Sequence, residues 1–249
     1  MLYIIGLGLG DEMDITMRAW YIIRNSDLVF LDSYTSVLNV NSKALEEFYG
    51  KEIILADRKL VETQSDKILD PAKKQNVALL VVGDPMFATT HSDLVLRARD
   101  FNVKVKIIHN TSVFNTIADT GLSLYNFGKV ASIPFTDDKW EVNTPYNVLK
   151  ENKDLHTLFL FDLRPEKNEF MTINQAIKFL EDCERRLAGG LIHDDLFLVA
   201  CSSLGTDNQQ IKAGILKELK TMKFRKFPQC LIIPGKMHFV EEQMLELFK

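Results

Sequence analysis

No apolar run in this 249-residue chain approaches the roughly 20 residues that a bilayer-spanning helix requires. No block of lysine and arginine stands out, and the net charge is -4. Phosphate backbones are neutralised by clustered basic groups, so nucleic-acid binding is not expected. Cysteine is scarce: Cys183, Cys201 and Cys230 are odd in number and far apart. That fits reduced thiols in a cytoplasmic protein, and neither a disulfide framework nor a zinc site. The histidines, His91, His109, His156, His193 and His238, make no HxH or HExxH spacing, so no metal is expected. The opening MLYIIGLGLGDE is apolar, but it has no basic leader and turns acidic at once, unlike a signal peptide. Internal repeats and low-complexity tracts are missing. What is present is a globular composition, 46% apolar and 26% charged, which excludes disorder, collagen and coiled coil.

Short apolar runs alternate with segments of helical period from end to end. Residues 2–9, 27–32, 52–55, 77–82 and 103–109 read as strands; 15–24, 42–49, 63–74 and 90–101 read as the helices between them. Thr90 stands three places before Asp93, as in a capping box. Continuous apolar strands separated by helices predict a parallel sheet covered on both faces. The pattern breaks at PFTDDKWEVNTP, 134–145, which reads as a linker or lid. Beyond it come strands at 157–163, 195–202, 211–216 and 229–233, a helix at 172–187 and a closing helix at 240–248. The expectation is α/β, with domains at 1–133 and 147–249 joined by a linker at 134–146.

Three loops could carry chemistry, each directly after a strand. Gly6-Leu-Gly8-Leu-Gly10 allows a sharp turn and close backbone approach. Asp27 or Asp32 falls about 20 residues on, as in a dinucleotide fingerprint. The spacing is nevertheless GxGxG, and Asp11, Glu12 and Asp14 crowd the place where a pyrophosphate needs positive potential. A neutral or cationic ligand fits better; a ligand-free tight turn fits equally well. Gly83-Asp84-Pro85 ends the VALLVV strand, where open α/β sheets place ligands, and Asp84 is expected there with a free carboxylate. His109-Asn110-Thr111-Ser112-Val113 follows the next strand, with helix capping as the plain role for Ser112. Three such loops in one half of the chain point to one crevice.

GLGLGDEMDIT, GDPMFATTHSDL, HNTSV, LHTLFLFDL at 155–163, GTDNQQIKA at 205–213 and LIIPGKMH at 231–238 together resemble the diphthine synthase family, of the tetrapyrrole-methylase type of S-adenosylmethionine-dependent methyltransferases. The resemblance runs in order along the chain. It implies two α/β domains, the first with a mostly parallel and the second with a mixed sheet, and a cofactor in the cleft between them. It also implies a homodimer, S-adenosylhomocysteine as by-product, and elongation factor 2 as protein substrate, methylated on a modified histidine during diphthamide synthesis. Carried over by motif, the cofactor contacts are Leu9, Asp84, Phe87, Ser112, Val113, Leu163, Ala213 and His238. Where the family usually has Ala-Arg-(Val/Ile)-Gly, this chain has Ser202-Ser203-Leu204-Gly205, and a lost arginine contact at Ser203 motivates a rival reading as a silent binding module. A second rival is a methyltransferase acting on a precorrin-type tetrapyrrole. No triad or carboxylate pair names a catalytic base; solvent and Asp84 are the candidates. His156 and His193 are expected in solvated loops, His91 in a helical first turn, and Glu184-Arg185-Arg186 at a solvated helix end.

Overall fold

Side chains alternate faces along a strand, so a run that is apolar at every position must be dry on both sides. β4 (Val77–Val81) meets that condition, buried at every position, and lies inside an all-parallel sheet with β1 (Leu2–Gly6), β2 (Leu28–Asp32), β3 (Ile54–Ala56) and β5 (Val105–Ile108), ordered β3-β2-β4-β1-β5. Val77, Leu79 and Val81 pack with Leu2, Ile4 and Phe30 on one face. Ala78 and Leu80 pack with Ile5, Leu7, Val29 and Leu31 on the other. Helices α1 (Met17–Arg24) and α2 (Ser42–Tyr49) cover the second face through Ala19, Ile23, Leu45 and Tyr49. The first is covered by α3 (Arg58–Glu62), α4 (Asp66–Ala72) and α5 (His91–Asp100), through Val61, Ile68, Leu69, Leu94 and Ala98. Thr16, Asn41 and Asp57 start α1, α2 and α3 by accepting the amide three residues on.

The computed structural model describes residues 1–38, 40–136 and 141–249. Their contacts divide into two units, Met1–Asn115 with Pro165–Asn168, and Thr116–Arg164 with Glu169–Lys249. A short helix, α6 (Val113–Thr116), runs across the first boundary. The second unit holds a mixed five-stranded sheet. Its strands are β6 (Ala131–Ile133), β7 (Thr157–Phe161), and, after a two-stranded ribbon of β8 (Leu163–Arg164) and β9 (Glu169–Phe170), β10 (Phe197–Ser202), β11 (Gln210–Ile215) and β12 (Gln229–Ile233). The order is β11-β10-β12-β7-β6, antiparallel except for β6 on β7. Its helices are α7 (Thr144–Asn152), α8 (Ile173–Leu187), α9 (Leu216–Leu219) and α10 (Phe239–Glu246). A stripe on α8, Ile173, Ala176, Ile177, Leu180 and Cys183, packs on Phe159, Phe161, Leu198, Ala200 and Leu231.

Several local expectations are corrected. Periodicity predicts one helix at 63–74, but Thr63 turns both its amide and its hydroxyl back to the Lys59 carbonyl, ending α3 before α4 begins. Thr90 makes no capping bond, because its backbone is not extended (φ -95, ψ 6); Thr89 Oγ1 takes the His91 amide, and Asp93 pairs with Arg97. Spacing draws the first boundary at 133, whereas contacts divide the chain after Asn115, and β6 belongs to the second sheet. Residues 137–140 of the expected linker at 134–146 lie outside the described residues. Its end is helical: Pro145 sits in the first turn of α7, where a missing N–H is tolerated. His156 is fully buried, not solvated. Its Nε2 lies 3.1 Å from Glu241 Oε1, and its Nδ1 accepts from the Gly235 amide.

Glu184 is likewise no free helix end. Its carboxylate accepts from the Tyr146 hydroxyl and the amides of Gly190, Leu191 and Ile192, closing the chain back onto α8. Partial burial alone would raise its pKa, but these four donors hold it down, from 4.5 to about 2. A pKa lowered by folding adds stability above its unfolded value, and that stability is lost as pH falls toward the folded one. The urea midpoint is therefore expected to drop between pH 4.5 and pH 2, and Glu184→Gln to flatten that drop. An identical slope in the variant would remove Glu184 from the balance.

Candidate functional site

β4, β1 and β5 are adjacent, so the loops at their carboxyl ends emerge side by side, where open parallel sheets bind ligands. The loops are knitted together. Gly8 and Gly83 exchange backbone hydrogen bonds of 3.3 and 2.7 Å. Asn110 Nδ2 donates to the carbonyls of Gly6 and Asp14. A Cβ on Gly6 would stand 2.5 Å from the Gly83 carbonyl and 2.9 Å from Asn110 Cβ, so only glycine permits this approach. A Cβ on Gly83 would meet Leu9 Cδ2 and Ser112 Cβ in ordinary contact, at 3.7 and 3.8 Å, so these residues of the three loops lie side by side. Phe87, 47% exposed, stacks on Phe114 with centroids 5.2 Å apart. Val113 is half-buried at the start of α6. Leu9, Asp84, Phe87, Ser112 and Val113 are thus brought to one edge of the first sheet. Ser112 Oγ accepts from the Phe114 amide at 3.3 Å, so its plain role as a turn cap is met as well.

Asp84 differs from expectation. Its carboxylate is not free but buried, with Oδ1 accepting from the Met86 amide and Oδ2 from the Asn110 amide. His109 Nδ1 lies 2.8 Å from Oδ2. A buried charge must be hydrogen-bonded, and these donors come from two loops, so Asp84 joins the β4 turn to the β5 turn. The β4 turn also carries Ala88 at φ +53, a left-handed conformation that costs a non-glycine residue about 1 kcal/mol.

The glycine loop closes on itself. Asp14 Oδ2 accepts from the amides of Leu9 and Gly10, and Asp11 Oδ1 from that of Met13. No amide cradle for a diphosphate is left at these positions. Burial first, then the Glu12, Asp11 and Asp14 carboxylates, push the Tyr49 phenol far above its ordinary value. Of the two acids expected at dinucleotide spacing, Asp27 is exposed and accepts from the Asn76 amide through Oδ2. Asp32 is buried, bonded to the amides of Tyr34 and Thr35, with His91 Nε2 2.9 Å from its Oδ2.

In the second unit, Leu163 is half-buried at the start of the β8–β9 ribbon. Ala213 lies in edge strand β11, its amide donating to the Phe248 carbonyl. His238 is exposed and caps α10, its ring accepting from the Val240 amide. Ser203 is buried, with its hydroxyl on the Phe227 carbonyl at 3.0 Å, so position 203 is not an open contact surface. Spacing missed the roles of His109, Asn110 and Asp14: each lies in a quoted motif, but its partner is set by folding. Among the described residues, no three His, Cys, Asp or Glu side chains converge as metal ligands.

The family model described as Tetrapyrrole (Corrin/Porphyrin) Methylases matches residues 1–220. A probable diphthine methyl ester synthase of Arabidopsis thaliana is 42% identical over 272 residues, covering 100% of this chain and 98% of the relative. A diphthine synthase of Methanocaldococcus jannaschii is 39% identical over 251 residues, covering 99% and 98%. The crystal structure of a diphthine synthase superposes with a TM-score of 0.90 at 35% identity, covering 100% of this chain and 96% of that one.

Removing the Asp84 carboxylate strands the Met86 and Asn110 amides. Unpaired buried donors cost roughly 1–3 kcal/mol each, so Asp84→Ala is expected to lower stability by about 2–4 kcal/mol in urea unfolding. A loss under 1 kcal/mol would show that the two turns hold together without it.

Proposed function

This chain belongs to the tetrapyrrole methylase family and, over its whole length, to the diphthine synthases within it, and we propose that it methylates the modified histidine of elongation factor 2 with S-adenosylmethionine. Three N-methylations followed by a carboxylate methyl ester are the proposed outcome, in line with the methyl ester synthase named from Arabidopsis thaliana. The precorrin-type alternative is set aside, because the relatives matching along the whole chain are diphthine synthases. Cytoplasmic location and a homodimeric state belong to the same proposal. Among the described residues, no helix is long and apolar enough to cross a membrane.

The closed glycine loop supports this reading most directly. With Asp14 on the Leu9 and Gly10 amides and Asp11 and Glu12 beside it, the loop repels a diphosphate and suits a positively charged ligand. When bound, S-adenosylmethionine supplies a methyl group activated by the cationic sulfur that carries it. The residues present fit such a ligand. Leu9, Gly83 and Ser112 lie close together at this edge, Phe87 offers an exposed aromatic face for a purine, and Asp84 holds the two turns in place. Val113, Leu163, Ala213 and His238 complete the proposed contacts. Displacement at carbon needs nucleophile and methyl group aligned, so rigid loops contribute more than a strong acid. The inward-turned Ser203 hydroxyl gives no support to the silent-module reading.

The test incubates the protein with methyl-labelled cofactor and elongation factor 2 bearing the unmethylated precursor, with mass spectrometry of the modified peptide. Addition of four methyl groups is expected; label on a tetrapyrrole and none on the protein would reverse the assignment. Calorimetry is expected to find S-adenosylhomocysteine binding lost in Asp84→Ala, and unchanged affinity would detach Asp84 from the cofactor site.

A further inference from the structure

We propose that His109 is the general base that accepts the proton from the substrate amine in N-methylation. The proposal rests on the methyl-transfer reading above. It starts from a contrast within one pair: the Asp84 side chain is 1% exposed, while that of His109 is 67% exposed, and Oδ2 and Nδ1 lie 2.8 Å apart. Asp84 already accepts an amide on each oxygen, so it meets the ring as an acceptor and Nδ1 carries the hydrogen. Nε2 is then the nitrogen that keeps a lone pair, on a ring that is mostly exposed. A buried carboxylate that orients an exposed imidazole in this way makes a base whose basic nitrogen is fixed in direction.

His109 directly follows β5 and precedes Asn110 and Ser112, so it belongs to the same edge as Leu9, Gly83 and Phe87. The charged groups on the neighbouring loops are Asp84 after β4, and Asp11, Glu12 and Asp14 after β1. Among the described residues, Asp84 is the carboxylate recorded against the ring nitrogens, and Asp14 is turned onto the Leu9 and Gly10 amides. An amine that is protonated in solution cannot attack carbon. In the step proposed, an N–H bond of the ammonium breaks and its proton joins Nε2. The electron pair stays on nitrogen and forms the bond to the methyl carbon, the C–S pair leaves with sulfur, and the imidazolium returns its proton to solvent. A carboxylate is already ionised at neutral pH and needs no base, so methyl ester formation does not use His109.

Two measurements test this. In cofactor-free protein, nitrogen NMR is expected to find neutral His109 protonated on Nδ1; protonation on Nε2 instead overturns the proposal. His109→Asn keeps a donor for Asp84 and removes the basic nitrogen. It is expected to slow N-methylation about a hundredfold at pH 7, with the deficit shrinking as pH rises. Esterification of trimethylated substrate is expected to fall at least tenfold less than N-methylation. A pH–rate profile matching that of the wild type, or equal losses in N- and O-methylation, overturns it. A wild-type protein that transfers no methyl group overturns the reading of the previous subsection, and the base with it.

Discussion

Asp84 is the constraint on which the site depends. A carboxylate this deeply buried is stable only with its oxygens bonded, and the donors it finds lie in two separate turns, Met86 after β4 and Asn110 after β5. One charge therefore fixes the spacing of two strand ends. Gly6 lies between them, pressed so closely by the Gly83 carbonyl and Asn110 that no side chain could stand there. The loops form one rigid edge because each satisfies polar groups of another, and the same carboxylate turns the His109 ring.

Ligand class follows from a second economy of hydrogen bonds. A glycine turn after a first parallel strand is the usual place for a diphosphate, held by free amides. Here the protein's own Asp14 occupies those amides, and Asp11 and Glu12 stand beside it in the same loop. The overall charge of -4 is modest; its local placement matters more.

Legibility in the sequence followed the range of the interaction. The strands at Val77–Val81 and Gln229–Ile233 and the helix Ile173–Leu187 were readable because apolar period and capping residues act over a few positions. Strand β6 has three residues, too few for a period, and exists through its pairing with β7. His156 reads as a loop histidine until Glu241, 85 positions away, is folded against it. Thr90 has the right residue type for a cap but the wrong backbone angles.

Residue types and their order by themselves determined the α/β class, the three turns at strand ends and the family to which they point, since all three are written in short runs and motifs. Tertiary structure alone decided what each polar group does there. Asp84 reads as a free carboxylate and is a buried tie, Asp14 reads as helix-start charge and is the lid on its own loop, and His109 reads as an ordinary strand-end residue and is half of a pair. The reason is physical. A polar side chain's role is set by the partner that satisfies it, and for Asp84 and His109 those partners lie 25 residues apart in the chain, beyond what any local pattern encodes.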